Sequence, residues 1–322
     1  MNTSIKEYWI EQIHKLQDTI CLGLEEVDGI AKFYEDAWER TGGGGGKTRV
    51  ISNGRVFEKG GVNTSVVFGE VTPVMRSQLA SIANRECGSW FACGLSLVIH
   101  PFNPFVPTVH ANYRMFELYD KNGNCIDSWF GGGTDLTPYY LFKEDVVYFH
   151  TVYKKCCDEM DPTFYPVFKK ACDDYFVNHH RKNERRGVGG IFYDYQRPSD
   201  TKSATDWMQF AMLCGHAFLE AYLPIVQRRK DTPFTPENKY WQEIRRGRYT
   251  EFNLVHDRGT IFGLKTEGRT ESILMSLPPT VRFDYNYQPK PNSEEQILLT
   301  TCLHPVEWIA ESVSEVCTNK KN

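Results

Sequence analysis

The sequence predicts an α+β fold in which helices pack around an antiparallel sheet. Three observations carry this: helical periodicity in several long stretches, strict two-residue alternation in neighbouring segments of the first half, and the pairs Asn53-Gly54 and Asn122-Gly123 set between apolar runs. The 322 residues suit one large core, because cores commonly divide only beyond about 250–300 residues, and no long linker separates parts able to form cores of their own. One domain over 1–322 is the expectation.

From the start, Ile5, Trp9, Ile13, Leu16, Ile20, Leu24, Val27, Ala31, Tyr34 and Trp38 recur every three or four residues. That spacing predicts helix over 5–38; Gly23 and Gly29 leave one kinked helix and two consecutive ones both open. The pentad Gly42 to Gly46 cannot sustain a helix, and reads as a mobile surface connection or as a segment that closes over a ligand. It is no phosphate loop, since Thr41 stands where G-x-x-x-x-G-K-T needs glycine.

Asn53-Gly54 predicts a tight hairpin between 49–51 and 56–57, with a further strand over 62–70. In 90–99, alternation places Leu95, Leu97 and Ile99 on one face and Ser96, Val98 and His100 on the other. In 109–119 it places His110, Asn112 and Arg114 together. Asn122-Gly123 leads into a strand over 125–130, after which 131–138 reads as a loop. Helices are expected over 143–158, 162–178, 204–222 and 236–245, the last capped by Thr235, with a strand over 190–195. The apolar segments 251–255 and 273–277 are of undetermined type, and a last helix is expected over 305–316.

Composition narrows function. With 41 acidic residues against 37 Lys and Arg, the net charge of −4 offers nucleic acid no global attraction, and no RNA-binding sheet pattern is present. Aromatic residues, 14 % of the chain, could line a pocket for a large flat ligand as well as fill a core. Ten cysteines without a CxxC pair argue against a zinc knuckle or a thioredoxin-like site and for reduced thiols. No run approaches about 18 apolar residues. Lys6, Glu7, Glu11 and Asp18 interrupt the stretch where a signal peptide needs apolar residues. No transmembrane segment and a cytoplasmic location are expected.

Chemistry concentrates on the alternating strands. Ser96 and His100 on one, with His110, Asn112 and Arg114 on the next, suit an acidic ligand: Arg114 offers a carboxylate its donor fork, Ser96 and Asn112 donate uncharged bonds, and His110 can exchange a proton near neutral pH. Taken singly, each is more often structural. A divalent metal on His100, His110, His150 and His180 is the rival explanation. Further on, Glu251, Asn253, Val255 and Asp257 share a face if their segment is extended. Asp257 could stabilise developing positive charge or remove a proton, or could simply pair with Arg258 or cap a turn. Arg245, Arg246, Arg248 and Arg269 either focus positive charge on a polyanion or sit solvated on the surface.

The stretch 100–114, His-Pro-Phe-Asn-Pro-Phe-Val-Pro-Thr-Val-His-Ala-Asn-Tyr-Arg, resembles the signature of the oxygen-dependent coproporphyrinogen III oxidase family. The resemblance extends over Gly42 to Gly46, 56–63, 129–138, 185–192 and 251–260, nearly the whole chain. It implies a homodimer with a large antiparallel β-sheet flanked by α-helices on both sides. It also implies oxidative decarboxylation of two propionates of coproporphyrinogen III to vinyl groups, giving protoporphyrinogen IX, carbon dioxide and hydrogen peroxide. Molecular oxygen is the implied co-substrate, and no cofactor is required. By the same resemblance Ser96, Asn112, Tyr113, Arg114, Gly268 and Arg269 bind substrate, His110 donates a proton, and Asp257, with Arg258 beside it, orients pyrrole nitrogens. His100, His110, His150 and His180 match histidines sometimes assigned to a metal, although catalysis without metal is the favoured expectation. Two positions depart from the family pattern: Ile261 where many relatives carry Lys, and Glu267 where they often have Gly or Pro.

Overall fold

The computed structural model describes residues 4–78, 86–266 and 268–309. Helix α1 (Ile5–Asp28) starts at a capping box in which the Ser4 hydroxyl accepts the Glu7 N–H and Glu7 reaches back to the Ser4 N–H. It buries Trp9, Ile13, Leu16, Ile20 and Leu24 completely or nearly so, each worth about 1.5–3 kcal/mol relative to exposure. It ends at Gly29, whose φ of 78° only glycine adopts easily. The buried Asp28 carboxylate then accepts backbone N–H groups of Ala31, Val56 and Phe57, each at 2.9 Å, and turns the chain toward the sheet. The helix expected over 5–38 is therefore corrected at its end: Tyr34–Glu39 is strand β1, where Tyr34, Asp36 and Trp38 also satisfy a two-residue period.

The glycine pentad is corrected as well. Gly43 and Gly44, with φ of 114° and 80°, make the turn, and strand β2 (Gly44–Ser52) runs on through Gly45 and Gly46 between β1 and strand β3 (Phe57–Glu70). A Cβ at Gly46 would lie 2.3 Å from the Thr64 carbonyl and 2.6 Å from the Trp38 ring, so glycine there serves close packing and not mobility.

Helix α2 (Pro73–Gln78) precedes strands β4 (Ser89–Pro101), β5 (Thr108–Tyr119) and β6 (Cys125–Thr137). The segment expected to be a loop, 131–138, is instead almost wholly central strand, with Gly131 opposite Arg114 and Gly133 opposite Asn112. Helices α3 (Lys143–Met160) and α4 (Phe164–Tyr175), a short ribbon of β7 (Val177–Asn178) and β8 (Glu184–Arg185), and strand β9 (Gly189–Gln196) follow. The main sheet is fully antiparallel in the order β1-β2-β3-β4-β5-β6-β9.

One sheet face, with Leu95, Leu97, Ala111 and Tyr113, packs under α1, α3 and helix α5 (Ala204–Arg229) in the main core. By length and mean composition α5 is apolar enough to cross a membrane, although Asp206, Gln209, His216 and Glu220 interrupt its apolar run. However, Phe210, Cys214, Phe218 and Tyr222 are all fully buried along it, as in a core helix. The opposite face carries helix α6 (Pro236–Val255) at one end, followed by α7 (Arg258–Lys265) and α8 (Thr270–Leu274). Helix α6 starts at the expected Thr235 cap and continues through the segment of undetermined type. Helix α9 (Glu294–Leu303), capped by Ser293, occupies a stretch whose polar residues gave no signal. The helix expected over 305–316 lies from residue 310 onward outside the described residues, as do Glu267 and Cys317. Cys21, Cys93, Cys125, Cys156, Cys157, Cys172, Cys214 and Cys302 are free thiols.

Candidate active site

Strand alternation turns one set of side chains away from the helical core. Register places Asn63, Ser96, Asn112 and Gly133 in one row across β3 to β6, Gly94, Arg114 and Gly131 in the next, and Val98, His110 and Asp135 on the other side. The sequence-predicted Ser96, His110, Asn112 and Arg114 thus share one face. Tyr113 does not: it is fully buried on the opposite face, where its hydroxyl meets Thr134 and donates to the Cys214 carbonyl at 3.0 Å. Its side chain is corrected from substrate contact to core, because successive strand residues point to opposite faces.

His110 Nδ1 lies 2.8 Å from Asp135 Oδ1, and Arg186 clasps the same carboxylate at 2.8 and 2.9 Å. Burial pushes the Asp135 carboxyl up, but the Arg186 charge and the His110 bond outweigh it and hold it below the usual carboxylate value. Arg186 also donates to Asn253 and lies over the rings of Phe176, Tyr249 and Phe252 at 4.1–4.9 Å. A carboxylate at Nδ1 requires the proton there, so neutral His110 presents Nε2 as an acceptor and only the imidazolium donates from it.

Asp257 is the N-cap of α7: one oxygen accepts both the N–H and the hydroxyl of Thr260 at 2.8 Å, the other accepts the Tyr175 hydroxyl at 2.8 Å. Burial raises its pKa, yet these three bonds together, with His110 nearby, hold it below the ordinary value. It is an anion at neutral pH with acceptor capacity left. The turn cap weighed from sequence is real, but Asp257 and Glu251 do not share an extended face, since 251–255 is helical. Glu251 instead pairs with Arg181 and Arg248.

Arg114 and Asp257 belong to one polar chain. Arg114 donates to Asn112 at 3.0 Å and to Asp194 at 2.9 Å; Arg258 reaches the other Asp194 oxygen at 3.4 Å. The Arg258 N–H donates to the Tyr175 hydroxyl that holds Asp257, and Tyr175 stacks on Phe192 with rings 4.4 Å apart. At the far side Arg269 binds Asp36 and Ser272, Ser272 meets Thr48 at 2.7 Å, and the Asn63 amide donates to the Ser272 carbonyl at 3.1 Å. Gly268 donates its N–H to Gly263, where a Cβ on Gly268 would come within 2.8 Å of the carbonyl oxygen. Phe262 of α7 packs with Phe116 and Trp129, so α7, about 12 Å long at 1.5 Å per residue, spans the polar face. Ile261 is half-buried on α7.

The four histidines proposed for a metal do not come together. His100 is buried between Thr108 and the Ser276 carbonyl. His150 lies in the helical layer beyond the opposite face, bonded to Tyr165 and the Val188 carbonyl. His180 is exposed beside His256 and Glu251. Those donor sets do not fit a single ion. Arg245, Arg246 and Arg248 are neither solvated nor open to a polyanion: they are buried and paired with Glu184, Glu58 and Glu251.

Sequence reasoning missed Asp135, Arg186, Tyr175 and Asp194. Continuing the alternation of 125–130 past the glycines would have placed Asp135 opposite His110. No spacing could have delivered Arg186 or Tyr175, which arrive from other elements.

Comparison with known proteins matches residues 9–308 to the family model described as coproporphyrinogen III oxidase. The chain belongs to the coproporphyrinogen III oxidase family. It is 51 % identical to an oxygen-dependent coproporphyrinogen-III oxidase of Glycine max named as chloroplastic, over 96 % of this chain and 80 % of the relative. Against coproporphyrinogen-III oxidase 1, chloroplastic, of Arabidopsis thaliana the identity is 50 % with the same coverage. Against the oxygen-dependent enzyme of Prochlorococcus marinus it is 47 %, over 94 % and 92 %. On this face the guanidinium groups of Arg114 and Arg258 are linked through Asp194 and Tyr175 to an anionic acceptor, Asp257.

Proposed function

We infer that this chain is an oxygen-dependent coproporphyrinogen III oxidase that converts two propionates to vinyl groups and yields protoporphyrinogen IX. The observation that carries this is the continuous polar chain linking Arg114, Asp194, Arg258, Tyr175 and Asp257 on one sheet face. Arg114, Arg258 and Arg269 hold carboxylates through charge-assisted bonds, with Ser96 and Asn112 adding neutral ones. Asp257 accepts pyrrole N–H groups and fixes which propionate meets oxygen. At each propionate the carbon beside the ring loses hydrogen, the bond to the carboxyl carbon breaks, and its electron pair forms the vinyl double bond. Carbon dioxide leaves, and oxygen takes up two electrons and two protons as hydrogen peroxide. His110, steadied by Asp135, supplies one of those protons from Nε2.

This reading needs neither metal nor organic cofactor. It takes the chain as a homodimer, for which light scattering should give twice the chain mass. It places the chain in the cytoplasm, whereas the soybean and Arabidopsis relatives are named chloroplastic; cell fractionation decides that point. The activity is tested by incubating chelator-stripped protein with coproporphyrinogen III without oxygen, then admitting oxygen. Loss of two carbon dioxides per molecule, read by product mass, is expected. No oxygen-dependent mass change overturns the assignment.

A further inference from the structure

Two kinds of arginine–aspartate pair stand on the site face, and they differ in a way that matters for binding. In the Arg186–Asp135 pair one guanidinium nitrogen, Nη2, reaches both carboxylate oxygens, and the pair is sealed, each side chain 2 % exposed. Asp194 instead sits between two partly exposed guanidinium groups: Arg114, 32 % exposed, at 2.9 Å from one oxygen and Arg258, 56 % exposed, at 3.4 Å from the other. Opposite it, Gly131 provides the room, since a Cβ there would lie 2.7 Å from Asp194 Oδ1. The Tyr195 N–H holds that same oxygen at 3.1 Å, with Tyr195 at a left-handed φ of 54°. Asp194 is thereby presented as a carboxylate fixed by its own backbone neighbour in the fork of two exchangeable arginines.

We propose that Asp194 is an internal stand-in for a substrate propionate, occupying Arg114 and Arg258 until an incoming carboxylate replaces it. The proposal rests on the function inferred above. Its physical basis is competition: a ligand carboxylate must displace Asp194 from the arginines, so part of each new charge-assisted bond offsets one already present. Asp194 keeps the two cations from standing unneutralised in the empty site and lowers affinity for every carboxylate ligand. A purely orienting role for Asp194 predicts the opposite sign, because freed arginines would then bind worse.

The test compares wild type with Asp194→Asn, which keeps shape but removes the charge, and with Asp194→Ser as a second variant should the first fold poorly. Binding of coproporphyrin III, the oxidised tetracarboxylate, is followed by fluorescence titration, and KM for coproporphyrinogen III by turnover. The expected result is a dissociation constant at least three-fold lower in the variants, a lower KM, and a gain that shrinks as salt is raised. An unchanged or higher dissociation constant in variants that fold, with wild type active, overturns the proposal and leaves the function standing. A wild type that neither binds nor turns over removes the function and the proposal together.

Discussion

Asp135→Asn removes the charge that neutralises Arg186. The pair is almost wholly shielded from water, and the guanidinium is enclosed by Phe176, Tyr249 and Phe252, so solvent cannot take over the role of the carboxylate. Arg186 Nε already lacks a partner, and only the Asn253 bond would remain as a full acceptor for the guanidinium. Breaking a buried pair from one side costs about 3–5 kcal/mol, because the surviving charge stays desolvated. Urea denaturation followed by circular dichroism and tryptophan fluorescence should show a loss of that order. Replacing the partner as well, in Asp135→Asn/Arg186→Met, removes the stranded cation and should restore part of the loss. A single variant within about 1 kcal/mol of wild type, or a double variant less stable than the single one, would refute the argument.

Asp257→Asn should leave stability within about 0.5 kcal/mol, since asparagine caps a helix as well as aspartate, yet lower turnover about a hundred-fold or more. Asp257→Ala should additionally cost about 1 kcal/mol through the lost cap; near-normal turnover in the asparagine variant contradicts the role given to the carboxylate. Lowering pH should destabilise the fold through His150, whose pKa burial pushes down from 6.5 to about 3. Between those values the unfolded chain binds the extra proton, so the contribution is intact above 6.5 and is lost as pH falls toward 3. At pH 5.5 the loss from this residue is on the order of 1 kcal/mol, and a urea series should show the slope reduced in His150→Gln.

The site strands were legible because a two-residue period is a local property: Ser96, His110, Asn112 and Arg114 could be placed on one face from spacing alone. The hairpins at Asn53-Gly54 and Asn122-Gly123 were legible for the same reason, since the turn is written in adjacent residues. Glycine misled twice. In Gly44 to Gly46 and Gly131 to Gly133 it serves close packing inside a sheet, where neighbouring strands restrain a backbone that would be free in isolation. The 5–38 stretch failed at Tyr34 and Trp38 because apolar residues four apart satisfy both periods over a short run, and the Asp28 hub that ends the helix draws on residues 55–57. Arg245, Arg246 and Arg248 could not be read as buried without knowing where Glu184, Glu58 and Glu251 would lie. The Arg186–Asp135–His110 relay likewise joins three segments that only the fold brings together.

The most direct test of the polar face as the tetrapyrrole site is a structure of the complex with coproporphyrinogen III trapped without oxygen. The account predicts ring nitrogens within hydrogen-bond distance of Asp257 and propionates on Arg114 and Arg258. A macrocycle bound elsewhere, for instance in the surface groove between Phe234 and Arg282, with these side chains untouched, would contradict it.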